Sequence, residues 1–526
     1  MDRRSFLKAG SAAAAIAASV GTAKAQGIVA EHNWGKYDFG SGPEVIDRLN
    51  QGPFPQDPPD AVIPTDQVVM TTTPSDEVVP NYGKGLVTYI TADMGTEEIQ
   101  SGNIPQAIED LVEFPLGQVL YVRPTWREIQ TRPGRLDFPD YLRLTFELAK
   151  KNNKRIALRV QMSAPDYFHA PALPDFVLEK VPMVKLVGDW AEGHPPNVSY
   201  LKNPRAHFQP RYDHPFFQQA FRELVGLLAA EFNGNPLIEC IDTFMYGFWG
   251  EGHTWPFINN PFPDFETAER TWANMLQVQL EHFTKTPLIT NTQPDTSHVG
   301  NSQVLDRTVR SNNWIRSDTI FIENVQIEAL SNRPPWIAVA LEQGVPGKPP
   351  QSLPLHEGIS PVDNIIAHVM DIGANYWSLW NFHAISAENL KSYYQAFPPS
   401  FDRINRKIGY RVRPSMIWSY DDRDRAGLIV GFANDGIAGV PGVLRVTVES
   451  PDGTAMQSGC LDPGYPLPGK IRQAQFVLPK GTNWQGLKLK AEIEVKGMRY
   501  PVRWACHQKL NEDGTLTLYP NGRFDS

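Results

Sequence analysis

The stretch Leu237-Ile-Glu-Cys-Ile-Asp-Thr-Phe-Met245 is a run of strand-forming residues, and Tyr246-Gly-Phe-Trp-Gly-Glu-Gly-His253 follows it directly. The first part predicts a buried β-strand, and the glycines of the second part predict a loop. Glu251 is therefore a carboxylate in a loop beside aromatic rings, just beyond a strand. This mixture is typical of a site that cleaves sugars, because rings stack on a pyranose and a carboxyl group can protonate a glycosidic oxygen.

Short apolar runs alternate with longer amphipathic segments on both sides of this stretch. Eight strands that alternate with helices predict a (β/α)₈ TIM barrel with insertions. A doubly wound open sheet is the structural alternative, but no glycine-rich phosphate loop follows the first strand. The predicted strands are 85–91, 118–123, 155–160, 237–244, 287–291, 314–318, 336–341 and 374–380, and the predicted helices among them are 104–112, 141–151, 216–232 and 266–283.

The pattern changes after about residue 411, where short strands follow one another without helices between them. Turns such as Pro451-Asp-Gly453 separate these strands. We therefore expect a barrel domain over 81–411 and a C-terminal antiparallel β-sandwich domain over 412–526. Residues 26–80 are rich in Pro, Asp and Gly, and they predict a segment that wraps the surface of the barrel.

The first 25 residues read as a twin-arginine signal peptide. Asp2-Arg-Arg-Ser-Phe-Leu-Lys8 resembles the export motif, and Ala23-Lys-Ala25 closes the alanine-rich stretch that follows as a cleavage site. That stretch is too short for a stable membrane span, and no cysteine follows the cleavage site to carry a lipid. We expect a periplasmic or secreted protein with no membrane anchor after signal cleavage.

Composition excludes several classes of function. The net charge of -9, with no sustained Lys/Arg stripe, argues against a nucleic-acid partner. The histidines lack the close spacing of metal ligands, so we expect neither a metal nor an organic cofactor, and a metal-dependent hydrolase is a weaker alternative. Three cysteines exclude a disulfide scaffold, although an oxidising compartment would permit one bridge between Cys460 and Cys506. The oligomeric state stays open.

A second carboxylate, Glu342, directly follows the predicted strand 336–341. Functional groups of a TIM barrel lie at the C-terminal ends of its strands, so Glu251 and Glu342 are the predicted catalytic pair. Retention needs such carboxyl groups at about 5–5.5 Å, and inversion remains open. Glu357 competes with Glu342, which we favour because it lies directly at a strand end. The apolar Phe248-Trp249 neighbourhood predicts a raised pKa for Glu251, as a general acid requires.

Polar and aromatic residues near the other strand ends are candidates for binding the sugar. Arg159 could also keep a catalytic carboxylate ionised. Trp377 and Trp380 are three residues apart and point to opposite faces of a strand, so we favour Trp380. The predicted substrate-binding residues are Arg159, Asp166, His169, Tyr246, Trp249, His253, Asn291, Trp377, Trp380 and His383.

The ordered set of these residues resembles the retaining glycoside hydrolases of clan A, which include families 5, 39 and 42. The glutamates after the fourth and seventh strands carry the resemblance, together with Arg123-Pro-Thr-Trp126 and Pro133-Gly-Arg-Leu-Asp-Phe138, over about residues 80–400. It implies that Glu251 is the acid/base, that Glu342 is the nucleophile and that the substrate is a β-linked carbohydrate. The chain departs from the clan at Gly250, where many members have Asn. A carbohydrate-binding barrel without hydrolysis is the alternative function.

Overall fold

The computed structural model describes residues 68–90, 103–163, 171–187, 208–254, 257–292, 301–317, 330–342, 361–379, 387–421 and 426–519. The predicted signal peptide lies outside these ranges, as does most of the segment 26–80. Five of the residues considered for the site also lie outside the described residues: Asp166, His169, Glu357, Trp380 and His383.

The strands and helices alternate along the barrel domain and give way to strands alone after residue 411. The strands are β1 (Val68–Thr71), β2 (Gly85–Ile90), β3 (Val119–Val122), β4 (Arg155–Leu158), β5 (Met183–Lys185), β6 (Phe208–Pro210), β7 (Ile238–Asp242), β8 (Leu288–Asn291), β9 (Trp314–Ser317), β10 (Val339–Leu341), β11 (Tyr376–Ser378), β12 (Val412–Asp421), β13 (Ala426–Asn434), β14 (Val443–Glu449), β15 (Ala455–Cys460), β16 (Ile471–Leu478), β17 (Lys488–Val495), β18 (Met498–Val502) and β19 (Leu516–Thr517). The helices are α1 (Ile104–Glu113), α2 (Trp126–Ile129), α3 (Asp140–Lys151), α4 (Asp175–Leu178), α5 (Pro215–Phe232), α6 (Phe265–His282), α7 (Asn301–Arg310), α8 (Pro361–Ile372), α9 (Ala387–Ala396) and α10 (Pro398–Lys407).

Eight parallel strands close into a barrel in the order β2-β3-β4-β7-β8-β9-β10-β11, which confirms the predicted TIM barrel. The barrel closes where β11 pairs with β2, with Tyr376 opposite Gly85. Strands β2, β3 and β7 are buried along their whole length, because helices cover the outside of the barrel and side chains fill its interior. This is why they read as nearly continuous apolar runs in the sequence.

The sequence missed short elements within the long connections. After β3, Thr125 caps helix α2 through a capping box with Glu128. In the connection after β4, the described residues form the antiparallel hairpin β5–β6, where the sequence predicted only a long loop. These elements have too few residues to show a clear period, so pattern alone does not reveal them.

The C-terminal domain contains two antiparallel sheets, which confirms the predicted β-sandwich. One sheet has the order β1-β12-β13-β16, and the other has the order β15-β14-β17-β18 with β19 on β17. The rings of Phe432 and Trp504 stack with centroids 5.8 Å apart in the apolar core. Strand β1 shows that the described end of segment 26–80 extends this sandwich as an edge strand, where we had expected a segment wrapping the barrel.

Buried polar contacts join the barrel to the sandwich. Lys496 donates hydrogen bonds to the Phe283 carbonyl at 3.0 Å and to Asn313 at 2.7 Å. Tyr82 stacks on Tyr500 with ring centroids 3.6 Å apart.

All three cysteines are free thiols, so the Cys460–Cys506 bridge does not form. Among the described helices, none is both long and apolar enough to cross a membrane.

Candidate active site

The loop after β7 turns tightly before it reaches Glu251. Gly247, Gly250 and Gly252 have φ angles of 85°, 79° and 84°, a region that residues with a Cβ rarely adopt. A Cβ on Gly247 would lie 2.6 Å from the backbone N and O of His253. The Phe248 N–H donates to the His253 carbonyl at 2.8 Å and closes the loop. The glycines therefore serve the turn itself, which presents the Glu251 carboxylate at the barrel mouth.

Trp249, at the centre of this loop, has a strained backbone. Its φ angle is 53° and its ψ angle is 8°, which is uncommon for a bulky residue. Its N–H donates to the Ser163 carbonyl at 2.9 Å, a contact with the end of the third barrel strand. The indole is half-buried, and its centroid lies 5.6 Å from that of the His253 ring. The loop thus holds a partly exposed aromatic ring beside Glu251.

One arginine joins the two predicted catalytic carboxylates. Arg316, on β9, donates from Nη1 to Glu342 Oε2 at 2.7 Å and from Nη2 to Glu251 Oε1 at 2.8 Å. The two Nη atoms belong to one planar guanidinium group, so a single side chain spans the gap between the carboxylates. The structure therefore brings Glu251 and Glu342 together at the C-terminal ends of β7 and β10.

Deeper in the barrel, Asp242 supports both arginines of the site. Arg316 Nε lies 2.9 Å from Asp242 Oδ2, and Arg159 Nη1 lies 3.8 Å from the same oxygen. The Tyr121 hydroxyl donates to Asp242 as well. Asp242 and Arg159 are fully buried, so their charges are stable only because they are paired with one another and with the carboxylates above.

Tyr89, on β2, completes the surroundings of Glu342. Its hydroxyl donates to Glu342 Oε1, while Arg316 binds Oε2, so both oxygens of this carboxylate accept hydrogen bonds. The Arg123 guanidinium lies over the Tyr89 ring, 5.1 Å from its centroid. Burial raises the pKa of Tyr89 well above its usual value, which keeps the hydroxyl proton in place as a donor. Glu342 is thereby oriented as a carboxylate.

The pKa of Glu251 is lowered well below its usual value, so the predicted rise is wrong. Burial alone raises the pKa, as expected from the apolar neighbours, but the positive charges of Arg159 and Arg316 and a contact with His253 outweigh it. Arg159 Nη2 donates to Glu251 Oε1 at 2.6 Å. The prediction failed because Arg316 is distant in sequence and reaches Glu251 only in the folded barrel.

His253 approaches the other oxygen of Glu251. Its Nε2 lies 3.5 Å from Oε2, whereas both arginines bind Oε1. His253 Nδ1 is buried, and no residue within the described ranges forms a hydrogen bond with it. His253 itself is 8% exposed, compared with 0% for Arg159. The two oxygens of Glu251 therefore have different surroundings, with the cations on one side and a histidine on the other.

The structure brings some of the other predicted residues to this place and not others. Asn291 ends β8 and pairs in register with Arg316, so it borders the site. Tyr246 does not: it is fully buried against Phe262 and Trp272, with ring centroids at 4.6 and 4.9 Å. Trp377 is also fully buried and stacks on Phe401 of α10, outside the barrel. Both rings pack in the core, which corrects their prediction as sugar-binding residues.

Sequence reasoning missed Arg316, Asp242, Tyr89 and Tyr121. Each lies inside a barrel strand, and Tyr89 pairs directly with Tyr121 across β2 and β3. The available signal was a charged residue within an otherwise apolar strand, as in Trp314-Ile-Arg-Ser317. A charge at such a position points to a partner in the barrel interior, because burying it alone is costly. Among the described residues, no group of three His, Cys, Asp or Glu side chains is arranged to hold a metal ion.

No protein-family model matches the chain, and no curated protein matches it. Among solved structures it is similar to a cold-adapted β-galactosidase from Rahnella sp. R3, with 10% identity and a TM-score of 0.38, over 65% of this chain and 59% of that one. It is also similar to GH5_18 from Streptomyces cattleya, with 10% identity, a TM-score of 0.34 and coverage of 57% and 71%. A third is endo-glycoceramidase II from Rhodococcus sp., with 11% identity, a TM-score of 0.35 and coverage of 78% and 99%.

These three are glycoside hydrolases, the class that the sequence resemblance names. The chain spans less than two thirds of the length of the β-galactosidase. Likeness at such identities and TM-scores carries no weight for the function, which therefore rests on the residues of the site.

Proposed function

We propose that the protein is a glycoside hydrolase that cleaves a β-linked oligo- or polysaccharide with retention of configuration. One observation carries the proposal: the carboxylates of Glu251 and Glu342 lie at the ends of β7 and β10, and the two Nη atoms of Arg316 bind one oxygen of each. A bridge made of one guanidinium group places the two carboxylates on either side of the same side chain, as a two-carboxylate mechanism requires, and the configuration of the product distinguishes retention from inversion.

Glu342 is the proposed nucleophile. Hydrogen bonds from Tyr89 to Oε1 and from Arg316 to Oε2 orient its carboxylate. An ionised carboxylate can attack the anomeric carbon and form a covalent glycosyl-enzyme intermediate. When water releases the sugar, the same two donors can hold the departing carboxylate of Glu342 in place.

Glu251 is the proposed acid/base, and it acts through Oε2. Both arginines bind Oε1, so the proton for the glycosidic oxygen belongs on the other oxygen. The lowered pKa leaves Glu251 ionised in the resting protein, and protonation must therefore accompany substrate binding. The half-buried ring of Trp249, whose centroid lies 5.6 Å from that of His253, supplies a surface on which a pyranose can stack.

Export belongs to the same proposal. The twin-arginine motif Asp2-Arg-Arg-Ser-Phe-Leu-Lys8 supports delivery of the folded enzyme to the periplasm or the medium. Polysaccharides too large to cross a bacterial membrane are available there.

The test is hydrolysis of a panel of 2,4-dinitrophenyl β-glycosides by the wild-type protein and by Glu342→Gln. We expect turnover by the wild type, a loss of at least about 10³-fold in the variant, and a first-formed product of unchanged anomeric configuration by NMR. A product of opposite configuration would overturn retention, and equal turnover by the two proteins would remove Glu342 as nucleophile. If the wild type hydrolysed neither these glycosides nor any member of a broad glycan panel, the proposal that the protein is an enzyme would be overturned.

A carbohydrate-binding barrel without hydrolysis is the second candidate. The lowered pKa of Glu251 favours it, because a carboxylate in its ionised form has no proton to give to a leaving group. In that case Glu251→Gln would bind glycans nearly as tightly as the wild type, and neither protein would release sugar. Calorimetry on the same glycan panel separates the two candidates.

A further inference from the structure

The proposed function requires a source for the proton of Glu251, and the site contains one. The pKa of this carboxyl is held below its usual range, so Glu251 does not store the proton by itself. The tyrosines of the site do not supply it either. Burial raises the pKa values of Tyr89 and Tyr121, and both hydroxyls already donate to carboxylates. Histidine is the side chain whose charge ordinarily changes near neutral pH, and His253 is the one that approaches Glu251.

The geometry at Glu251 suits a transfer between these two residues. His253 Nε2 lies 3.5 Å from Oε2, the oxygen that does not bind an arginine. This distance is slightly longer than a hydrogen bond, and catalytic contacts are often long in a resting enzyme and shorten with substrate. The imidazole is therefore adjacent to the oxygen that faces the proposed leaving group.

The surroundings of the ring leave this transfer free to occur. Among the described residues, none forms a hydrogen bond with His253 Nδ1. Phe248 and Trp249 are its aromatic neighbours, with ring centroids at 6.2 and 5.6 Å. Glu251 is the charged group that contacts the imidazole, while Arg159 and Arg316 bind the far oxygen of Glu251, and Asp242 lies beneath them.

We propose that His253 is a positioning residue that supplies the acid/base proton through Glu251. In the first step a Glu342 oxygen bonds to the anomeric carbon as the glycosidic C–O bond breaks. The imidazolium of His253 passes its Nε2 proton to the ionised Glu251 at Oε2 and becomes neutral. The bonding electrons pass to the leaving oxygen, which takes this proton from Oε2 and leaves Glu251 as a carboxylate again. This inference rests on the proposed function.

The second step returns the proton. Water attacks the anomeric carbon and expels Glu342, while its proton passes to Glu251 Oε2 and from there to His253 Nε2. The sum is the glycoside plus water giving two hydroxyl products, with the imidazolium restored. The proton therefore belongs to the His253–Glu251 pair, and the pH dependence reports an apparent pKa of the pair.

The test compares wild type, His253→Gln and His253→Asn on two β-glycosides of the same sugar. One has a 2,4-dinitrophenyl leaving group, which departs without a proton, and the other has a phenyl group, which needs one. We expect His253→Gln to lose about 10²-fold or more in kcat/KM on the phenyl glycoside and less than about threefold on the dinitrophenyl glycoside. His282→Gln is the matched control, because this half-buried histidine ends α6 and contacts the Val278 carbonyl rather than the site, and it should change neither value.

The pH profile gives a second measure that a structural role would not alter. In the wild type the proton is shared by the His253–Glu251 pair. In His253→Gln the proton depends on Glu251 alone, whose pKa is lowered, so activity on the phenyl glycoside should decline at a more acidic pH. His253→Asn should behave in the same way, which shows that the effect does not depend on one replacement side chain.

Equal losses on both substrates, or an unchanged profile, would overturn the role of His253. The proposed function would survive that result as long as the wild-type enzyme hydrolyses the glycosides and the folded Glu342→Gln variant does not. Absence of turnover by the wild type on either glycoside would instead overturn the function and the proton relay together.

Discussion

Glu251 and Glu342 are joined by one guanidinium group, because Arg316 donates to Glu251 Oε1 at 2.8 Å and to Glu342 Oε2 at 2.7 Å. Arg316 lies on β9, opposite Ala340 of β10, which is two residues before Glu342. The arginine thus begins deeper in the barrel than the carboxylates and supports them from that side. This arrangement gives the two carboxylates one shared source of positive charge.

Replacement of Arg316 by Met should destabilise the protein by about 3–5 kcal/mol, because it leaves buried carboxylates without their partner. It should also lower kcat/KM by about 10²-fold or more, since Glu342 loses its orienting donor. Urea unfolding and the glycoside assay measure the two effects. Arg310→Met, which removes an exposed ion pair with Asp306, is the control and should cost less than about 1 kcal/mol. Equal stability of the two variants would contradict a stabilising role for the contacts of Arg316 with Glu251 and Glu342.

Replacement of Tyr89 by Phe should slow the reaction and leave the fold intact. The change removes the hydroxyl that donates to Glu342, and a hydrogen bond to a charged group contributes about 1.5–3 kcal/mol. We expect kcat on the dinitrophenyl glycoside to decrease roughly 10- to 100-fold. Tyr394→Phe removes a similar bond, from a hydroxyl to Asp402 at 3.1 Å, far from the site. If both variants kept wild-type kcat, Tyr89 would have no part in positioning Glu342.

Replacement of Gly247 by Ala should distort the loop that presents Glu251. The added Cβ would lie 2.6 Å from the His253 backbone, and the φ angle of 85° is unfavourable for alanine. Gly453→Ala is the matched control, because its φ angle is 90° but nothing lies within 4 Å of the added Cβ. We expect Gly247→Ala to lose stability and activity well beyond the roughly 1 kcal/mol that the backbone angle alone costs the control. Similar melting temperatures would argue against a closely packed loop.

Replacement of Trp249 by Gly should separate binding from stability. Glycine accepts the φ angle of 53° without strain, so the free energy of unfolding should change by less than about 1 kcal/mol despite the lost ring. Loss of the stacking surface should weaken glycan binding about tenfold or more in calorimetry. Trp484→Ala, at a half-buried position in the sandwich domain, serves as the control for loss of an indole. Unchanged affinity in Trp249→Gly would exclude this ring from the subsite.

The ionisation of Glu251 should make stability depend on acid pH. Its pKa in the folded protein is below the ordinary 4.5, so the stabilisation is complete above about pH 4.5 and is lost as the pH falls through the folded value. The free energy of unfolding of the wild type should therefore exceed that of Glu251→Gln by an amount that shrinks on acidification. Chemical unfolding of both proteins over this range measures the difference, and a constant or growing gap would contradict the prediction.

The barrel itself was predictable because its signals are local. Runs such as Leu237-Ile-Glu-Cys-Ile241 carry strand propensity and burial within a few residues, and the helices between them have a clear period. Short elements such as α2 and the hairpin β5–β6 were not predicted, because their identity depends on a cap or a partner strand. Tyr246 and Trp377 were assigned to the wrong surroundings for a similar reason. The sequence around an aromatic residue does not show whether its ring packs in the core or stacks on a sugar.

The sequence by itself determined the alternation of strands and helices, the position of Glu342 directly after one strand and the position of Glu251 in the loop after another. Only the tertiary structure decided the charge state of Glu251, because Arg159 and Arg316 come from β-strand segments 92 and 65 residues away along the chain. Electrostatic energy depends on distance in space, and closing the barrel is what brings these charges within 3 Å of one carboxylate. Strand order follows from local pattern, whereas the chemistry of the site follows from which side chains meet inside the barrel.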